Sequence, residues 1–557
     1  MTCRTDFSGI RSSPAKASVR KVTPFHRVRC RRDAAVAAVL CLLAGGPALA
    51  GDNAVHFAIH NYQIEGSQLF SAAILQRAVA PYTGTDASFA LIEQAVAALQ
   101  QVYADAGYSA TRIAIAPQDI TSGVIHLSVI ETPVGTVDIT GNQQVDSANV
   151  RATLPALREG QPPDLHAIGT GIRLANDNYA KQTQITFRQG AQPDTLDATI
   201  KVADANPVRH VISLDNTGTG PTGNYRLGYA FQHANLFKRD QMLTAQYVTS
   251  PDHLRQVTIL GLSYHVPLYA YGGAIDLSAS HANVSSGQVT TTAGSYALSG
   301  SGDAAGIRYT QLLPRIVDWD QRVSAGVDYH AYRNDVRPDG ASSSLIPDLV
   351  TRPVTLSYAG FSRDVQREWR ASFSLSQNLP GGVSNSTADY QAPGGRAGAT
   401  ASFRIWRTSV FLRQSLPADW QVQLQLNGQY SADALISGEQ FGVGGVDSVR
   451  GFNEREVLND YGYRTSVEFQ GSNLGKAFGA AAWQVRPVLF HETGRLWRNH
   501  PLPAEAHRSA IASAGLGLRI ALDNSMQARI DYATVLQGAG IRPTGDRKIQ
   551  ANFTLLF

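Results

Sequence analysis

Over the last 350 residues of the chain, from Val208 to Phe557, apolar and polar side chains alternate with a period of two and no helical periodicity intervenes. Trp420, Val422, Leu424 and Leu426 alternate with Gln421, Gln423, Gln425 and Asn427; Met526, Ala528, Ile530 and Tyr532 alternate with Gln527, Arg529 and Asp531. Such segments are extended strands with one apolar and one polar face. Sixteen of them are expected: 208–215, 224–232, 241–249, 255–265, 272–283, 301–312, 320–332, 350–361, 368–378, 400–414, 419–431, 461–470, 483–493, 509–521, 525–535 and 547–557. The spacing, about 22 residues per strand plus connection, is wider than the 8 to 12 of a soluble sandwich. Ten-residue two-faced strands in an even number point to a transmembrane β-barrel with a wet lumen. The mean hydropathy of −0.15 agrees, because averaging the two faces gives a neutral value. A helical membrane protein is excluded, since beyond residue 50 no apolar run approaches the ~18 residues a spanning helix needs.

The connections sort by length. Asp523-Asn524 and Leu416-Pro417-Ala418 are tight, whereas 333–349, 379–399, 432–460 and 494–508 are long and are expected on the outer side. The last strand places Ala551, Phe553, Leu555 and Phe557 on one face and Gln550, Asn552 and Thr554 on the other.

The N-terminal region is different. Arg27, Arg29, Arg31 and Arg32 precede an apolar stretch from Ala34 to Leu43, a Gly45-Gly46-Pro47 break and Ala48-Leu49-Ala50, the pattern of a secretory signal peptide over residues 1–50. Without it, the formal charge of +4 becomes 39 basic against 42 acidic residues, net −3, and the charge argument for nucleic acid disappears. Cys3, Cys30 and Cys41 all lie in this segment, so the rest of the chain has no thiol nucleophile or cysteine metal ligand. No cofactor and no metal are expected.

Residues 51–207 are acidic, with eight basic and fifteen acidic side chains. They read as strand His56–Glu65, helix Ser71–Ala80 with Ser71 as N-cap, helix Ser88–Ala106 stopped by Gly107, and strands Thr111–Ala116 and Val124–Ile130. The order then repeats: strand Val134–Thr140, helices Ser147–Leu157 and Asp164–Asn178, strands Gln184–Arg188 and Leu196–Val202. A repeat of about 75 residues predicts two tandem α+β modules, 51–131 and 132–207, ahead of a barrel over 208–557.

At this point the chain resembles a known family. Two β-α-α-β-β modules are similar to POTRA domains. Phe441-Gly442-Val443-Gly444-Gly445, followed by Val449-Arg450-Gly451-Phe452, resembles the long-loop motif of two-partner secretion transporters, the TpsB proteins of ShlB/FhaC type; Ser213 to Gly218 resembles their first hairpin. The resemblance implies an outer-membrane translocator, with the POTRA domains in the periplasm. They would capture a large unfolded exoprotein, haemolysin- or adhesin-like, by its N-terminal secretion domain, and the exoprotein would thread through the barrel without catalysis. It implies that loop 432–460 folds into the lumen, where its arginine, Arg450 here, meets an acidic residue of an F-x-D-x-G motif. That motif is Phe490-His491-Glu492-Thr493-Gly494, with Glu492 in place of aspartate. Phe490, Glu492 and Gly494 share one face of an extended strand, and a carboxylate there could pair with Arg450. Phe553, Leu555 and Phe557 resemble the C-terminal strand by which the barrel-assembly machinery recognises its substrates. Outer-membrane lipid is the other implied partner, and a monomer is expected. Some TpsB transporters carry a plug helix before the first module, but only Gly51 to Val55 separate the expected cleavage site from the first strand.

Independently of the resemblance, the glycines around Arg450 permit a tight backbone path, and Val449 and Phe452 would gain little from exposure to water. Three other motifs are discounted. Gly218-Thr219-Gly220-Pro221-Thr222-Gly223 spells a dinucleotide fingerprint but leads into a strand. His56 and His60 straddle a strand, and Ser263 with His265 reads as lumen lining. The alternatives are a barrel insertase of the same superfamily and a passive porin.

Overall fold

The computed structural model describes residues 56–254, 257–283, 287–291, 294–298, 301–333, 346–475, 479–480, 482–539 and 541–557. The expected export signal, Gly51 to Val55 and most of the outer loop 333–349 lie outside these residues. Among the described residues no helix is long and apolar enough to cross a membrane.

The first module comprises β1 (Phe57–Ile59), β2 (Asn61–Glu65), α1 (Ala72–Val79), β3 (Gly84–Ala87), α2 (Phe89–Asp105), β4 (Arg112–Ile115) and β5 (Val124–Ile130). The stripe Ile92, Ala95, Leu99 and Tyr103 of α2 is buried against alternate residues Ile125, Leu127 and Val129 of β5. The single strand expected over His56–Glu65 is broken at His60. There the chain leaves an antiparallel pairing with β3 for a parallel pairing with β5, and the His60 N–H donates to the Gly123 carbonyl at 2.7 Å. The pattern signal had no way to announce β3, four residues of Gly-Thr-Asp-Ala without an apolar alternation. Ser71 occupies the N-cap position of α1 but makes no side-chain cap bond.

The second module comprises β6 (Val134–Thr140), α3 (Ser147–Ala152), α4 (Leu165–Asn176), β7 (Lys181–Gln189) and β8 (Leu196–Asp204), with a separate core around Val137, Val150, Ile168, Ile200 and Val202. α3 stops at Ala152, five residues short of the expected end, because Pro155 disfavours helical backbone in the residue before it. Asp146 and Asp164 cap α3 and α4 by accepting from the N–H groups of Asn149 and Ala167. Asp204, ending β8, accepts from the backbone N–H groups of Gln143, Gln144 and Val145 at 2.8 to 3.0 Å. Its partial burial acts to raise the carboxyl pKa, but the three donors outweigh this and hold it below the usual carboxylate range.

Sixteen antiparallel strands then close a barrel. Strands 1 to 6 are Val208–Asp215, Arg226–Leu236, Gln241–Thr249, Ile259–Leu268, Gly273–Ala282 and Ser301–Leu312. Strand 7 is Asp320–Arg333, and strand 8 runs as Leu349–Thr351 and Pro353–Arg363, interrupted at Arg352. Strands 9 to 12 are Arg367–Asn378, Arg404–Ser415, Gln421–Tyr430 and Tyr461–Gln470; strands 13 to 16 are Trp483–Trp497, Arg508–Leu522, Met526–Gln537 and Arg547–Leu556. Strands 13 and 14 reach further outward than expected, which shortens the outer loop from 494–508 to 498–507. Leu424, Leu426, Leu516, Leu518 and Ile530 are exposed on the outer surface, the lipid face, while the opposite parity faces the lumen. Strand 16 pairs with strand 1, and beyond the last register pair the Asn216 amide bonds Ile549 and Ala551 of strand 16.

The second module is fixed to the inner rim of the barrel. Lys181, fully buried, forms an ion pair with Asp240 in the turn between strands 2 and 3 and donates to Asn149 Oδ1 at 3.0 Å; the Tyr269 hydroxyl donates to Asp240 at 2.7 Å. Burial pushes the Lys181 ammonium pKa down, and the Asp240 carboxylate opposes this. Arg173 donates to Asp320 and to the Leu313 carbonyl, both at 3.1 Å, and Asn178 donates to the Ala234 carbonyl at 2.7 Å. These contacts involve the turns after strands 2, 4 and 6, so that end of the barrel is the one carrying the modules.

Asp240→Ala leaves the buried Lys181 charge unpaired, which is expected to cost about 3–5 kcal/mol at this junction, whereas Lys181→Met with Asp240→Leu costs much less. Amide exchange across α4 and β7 rising in the single variant and not in the double would show this. Because the folded pKa of Asp204 is depressed, its contribution is present above the unfolded value of about 3.9 and lost as pH falls through the lower folded pKa. Acid unfolding of the second module is therefore expected to be shallower in Asp204→Asn than in the wild type.

Candidate functional site

The connection from strand 11 to strand 12 does not stay outside. Phe441–Val443 and Val457–Asn459 pair as a short antiparallel ribbon, and the tip between them lies inside the lumen. The tip turns where side chains are disfavoured: Gly444 and Gly451 have φ of +112° and +93°. A Cβ on Gly444 would meet the Asn453 carbonyl at 2.6 Å, so the close approach of the two arms also requires glycine. Val449 and Phe452 are fully buried with Val443, Leu496, Ile511 and Val535, an apolar contact between the tip and the lumen face of strands 13 to 15.

Arg450, between them, is only 1% exposed. Its backbone N–H donates to Glu492 Oε2 at 2.7 Å, and its Nε and one terminal nitrogen donate to Glu492 Oε1 at 2.9 and 2.6 Å. The other terminal nitrogen donates to Glu468 Oε2 at 2.9 Å and to Asp531 Oδ1 at 3.2 Å. The guanidinium carbon sits 3.5 Å from the centre of the Phe490 ring, a cation–π contact. Two further arginines share the same carboxylates: Arg519 donates to Glu468 and Asp531, each at 2.8 Å, and Arg529 donates to Asp531 at 2.7 Å. Arg529 also donates to Asp447 of the tip at 2.8 Å, and Arg464 lines the same pocket, so four guanidinium groups face four carboxylates and the cluster is neutral. A buried charge is tolerated on these terms, with each ion paired and its hydrogen bonds satisfied.

The structure brings Val449, Arg450, Gly451 and Phe452 together with Phe490, Glu492 and Gly494, and gives each a distinct place. Phe490 lies beneath the guanidinium. Glu492 uses one oxygen for the side chain and the other for the backbone of Arg450. At Gly494 a Cβ would sit 3.1 Å from Val443, so a side chain there would push the ribbon off the wall. Gly515, opposite Phe490 in strand 14, leaves room for the ring, since a Cβ there would lie 2.5 Å from it. The Gly451 N–H donates to Gln550 in strand 16 at 2.8 Å.

Glu468, Asp531, Arg519, Arg529 and Gln550 are the residues that strand-by-strand reading does not single out. Their signal is parity: each is a polar residue on the lumen face of its strand, but which of many such residues meet the tip is set by shear and register. A second anchor is equally hidden. Glu439, at the base of the loop and buried, accepts from the hydroxyls of Tyr332 and Thr351 at 2.9 Å and lies 3.1 Å from His330 Nδ1 and 3.5 Å from Arg407. His330 is in strand 7 and Asp531 in strand 15, eight strands apart in a sixteen-strand barrel, so the loop spans the lumen from wall to wall. Between its tip and the wall, a cavity of about 390 Å³ is lined by Gln423, Gln425, Asp447, Arg464, Arg519 and Arg529 among others.

Phe553 and Leu555 lie on the lipid-facing parity of strand 16, paired with Leu214 and Ile212 of strand 1. Phe557 follows the strand, exchanging backbone hydrogen bonds with His210 at 2.8 and 3.0 Å and stacking on its ring. His265 faces Asp276 across strands 4 and 5, its Nδ1 2.7 Å from the carboxylate. His56 pairs with Asp86 at 2.8 Å.

Comparison with known proteins gives a consistent picture. Residues 197–520, more than half of the chain, match the family described as haemolysin secretion/activation protein ShlB/FhaC/HecB, and residues 57–132 match the ShlB-type POTRA domain. The outer membrane transporter CdiB of Dickeya dadantii is 24% identical over 456 residues, covering 80% of this chain and 76% of that protein. The hemolysin transporter protein ShlB of Serratia marcescens is 24% identical over 437 residues, covering 75% and 71%. Among solved structures, CdiB from Escherichia coli superposes with a TM-score of 0.69 at 18% identity, over 92% of this chain and 93% of that one. CdiB from Acinetobacter baumannii gives 0.66 at 17%, over 90% of each.

Removing the Arg450 side chain leaves four carboxylates facing three arginines and takes away the group that Glu492 holds, which is expected to release the tip from the wall. Arg450→Ala and Glu492→Gln are expected to raise pore conductance in planar bilayers while the barrel keeps its heat-modifiable mobility. Glu492→Asp, which retains the charge one methylene shorter, is expected to change conductance less than Glu492→Gln.

Proposed function

Because the chain belongs to the ShlB/FhaC/HecB family of haemolysin secretion/activation proteins, outer-membrane transporters with periplasmic POTRA domains, we propose that it exports one large partner exoprotein as an extended chain through its barrel. The observation that carries this reading is the loop held across the lumen by a neutral, polar cluster. Sixteen strands otherwise enclose an aqueous channel. The loop crosses the lumen from its anchor on strand 7 to its anchor on strand 15, in the path of a polypeptide in transit, so passage requires the tip to leave the wall. The ion pairs suit such a motion, because in a wet lumen each released charge regains water or a new partner. Folding of the client outside supplies a direction without nucleotide hydrolysis.

Capture is assigned to the second module. An extended client adds to an open sheet edge through backbone hydrogen bonds, with little demand on its sequence. The first half of the β6 edge is covered, Val134 bonding the backbone of Gly160 and Gln161 and Arg151 donating to the Val137 carbonyl. The first half of the β7 edge is covered too: the Asn176 amide bonds both the N–H and the carbonyl of Thr183. From Ile185 to Gln189 the same outward-pointing parity has no such cover among the described residues, and a client strand fits there. Strand 16 is assigned to recognition by the barrel-assembly machinery, with Phe553 and Leu555 on its lipid-facing parity next to strand 1.

Deleting the gene is expected to remove one large protein from the cell surface or medium without general loss of outer-membrane proteins; general loss would point to an insertase instead. Complementation with Arg450→Ala is expected to restore the barrel but little secretion. Gln189→Pro, at an exposed side chain of the same parity, removes an outward N–H and leaves the β7–β8 ladder and the module core intact. It is expected to reduce secretion and co-purification of the client's N-terminal domain several-fold, and normal export by this variant would exclude the edge.

A further inference from the structure

The lipid face of strands 12 to 14 carries an unbalanced charge at the outer end. In register, Tyr461 stands beside Trp497 and Trp497 beside Arg508; one step deeper, Tyr463 stands beside Arg495 and Arg495 beside Ala510. All have the parity of the exposed Phe469, Leu489 and Leu516, which marks this face as the one toward lipid. Strand 13 ends at Trp497 on the side opposite the turns that hold the second module, so the group lies at the level of the outer leaflet. Arg495 and Arg508 are both exposed, and neither has a carboxylate partner among the described residues. As diagonal neighbours across one strand pair, their side chains reach a common point. Tyr461 stacks on Trp497 with ring centres 5.6 Å apart and an angle of 12°, and the Arg508 guanidinium lies 5.9 Å from the Trp497 ring.

Two uncompensated guanidinium groups at the edge of an apolar belt are costly against hydrocarbon. They become favourable against a fixed anion, and guanidinium binds phosphate oxygens in a forked, charge-assisted geometry. The aromatic pair is of the kind that sits at the level of headgroups. Ala510 and Ala512 continue the face below Arg508 with small side chains, leaving space for an acyl chain beside the barrel wall. We propose that this patch binds a phosphorylated glycolipid of the outer leaflet, Arg495 and Arg508 holding a headgroup phosphate and Trp497 with Tyr463 resting against its sugars.

The test is lipid retention. The full-length protein is extracted from outer membranes in mild detergent, and co-purified phosphorylated glycolipid is quantified by mass spectrometry. Arg495→Gln with Arg508→Gln is expected to lower retention roughly tenfold, while Arg367→Gln, on the lipid face at the opposite rim, leaves it unchanged. Ala510→Glu keeps both arginines but places a carboxylate opposite Arg495, and is expected to lower retention as well. Delipidated protein is then titrated with phosphorylated glycolipid, its dephosphorylated form and inorganic phosphate, followed by tryptophan fluorescence. Saturation by the phosphorylated glycolipid alone supports the site. Equal retention in wild type and both variants, equal binding of the dephosphorylated form, or a response to inorganic phosphate as strong as to the glycolipid would overturn it.

Discussion

One guanidinium group organises this molecule. Arg450 sits in the lumen with almost no exposure, against Glu492, Glu468 and Asp531 at once. A cation placed there without partners would be prohibitive, so the barrel wall around it is built to receive it. Three strands supply carboxylates, the neighbouring arginines and Asp447 of the tip keep the cluster neutral, and Phe490 presents the face of its ring. Steric requirements follow from the electrostatic one: glycine at 444 and 451 to bring the arginine to the wall, at 494 to admit the ribbon, and at 515 to admit the phenyl ring.

The closure is firm without being a hydrophobic core. Only Val449 and Phe452 bury appreciable apolar surface at the tip, and the rest of the adhesion is ionic or hydrogen-bonded. Apolar packing would hold the loop equally well in any state, because its loss to water is always unfavourable. Ion pairs lining an aqueous lumen lose less on separation, since water and neighbouring charges replace the partner. The second anchor at Glu439 pins the base of the loop on the far wall, so displacement of the tip does not release the whole connection. At the other end of the barrel the design is the opposite. Lys181 and Asp240 are sealed away from water, so separating them would leave a buried charge unpaired.

Much of the architecture was legible in the chain. Period-two alternation located sixteen strands because lipid on one side and water on the other impose opposite chemistry on successive residues. The α2 stripe from Ile92 to Tyr103 was legible for the same reason at helical period. Errors arose where the signal is local backbone chemistry rather than patterning: the switch of partners at His60, the early end of α3 before Pro155, and the short strand Gly84–Ala87. At the site, Arg450 and Glu492 could be matched through a motif, but Glu468, Arg519, Asp531 and Glu439 could not.

The sequence by itself therefore determined the strands, their two faces, the modular order and the glycine-flanked arginine, all of which depend on neighbours within a few residues. Tertiary structure alone decided which lumen charges converge on that arginine, where the second module locks to the rim, and which arginines are left unpaired toward lipid. Those outcomes depend on barrel shear, register and closure, which bring together residues up to hundreds of positions apart, and no local pattern encodes the distance between them.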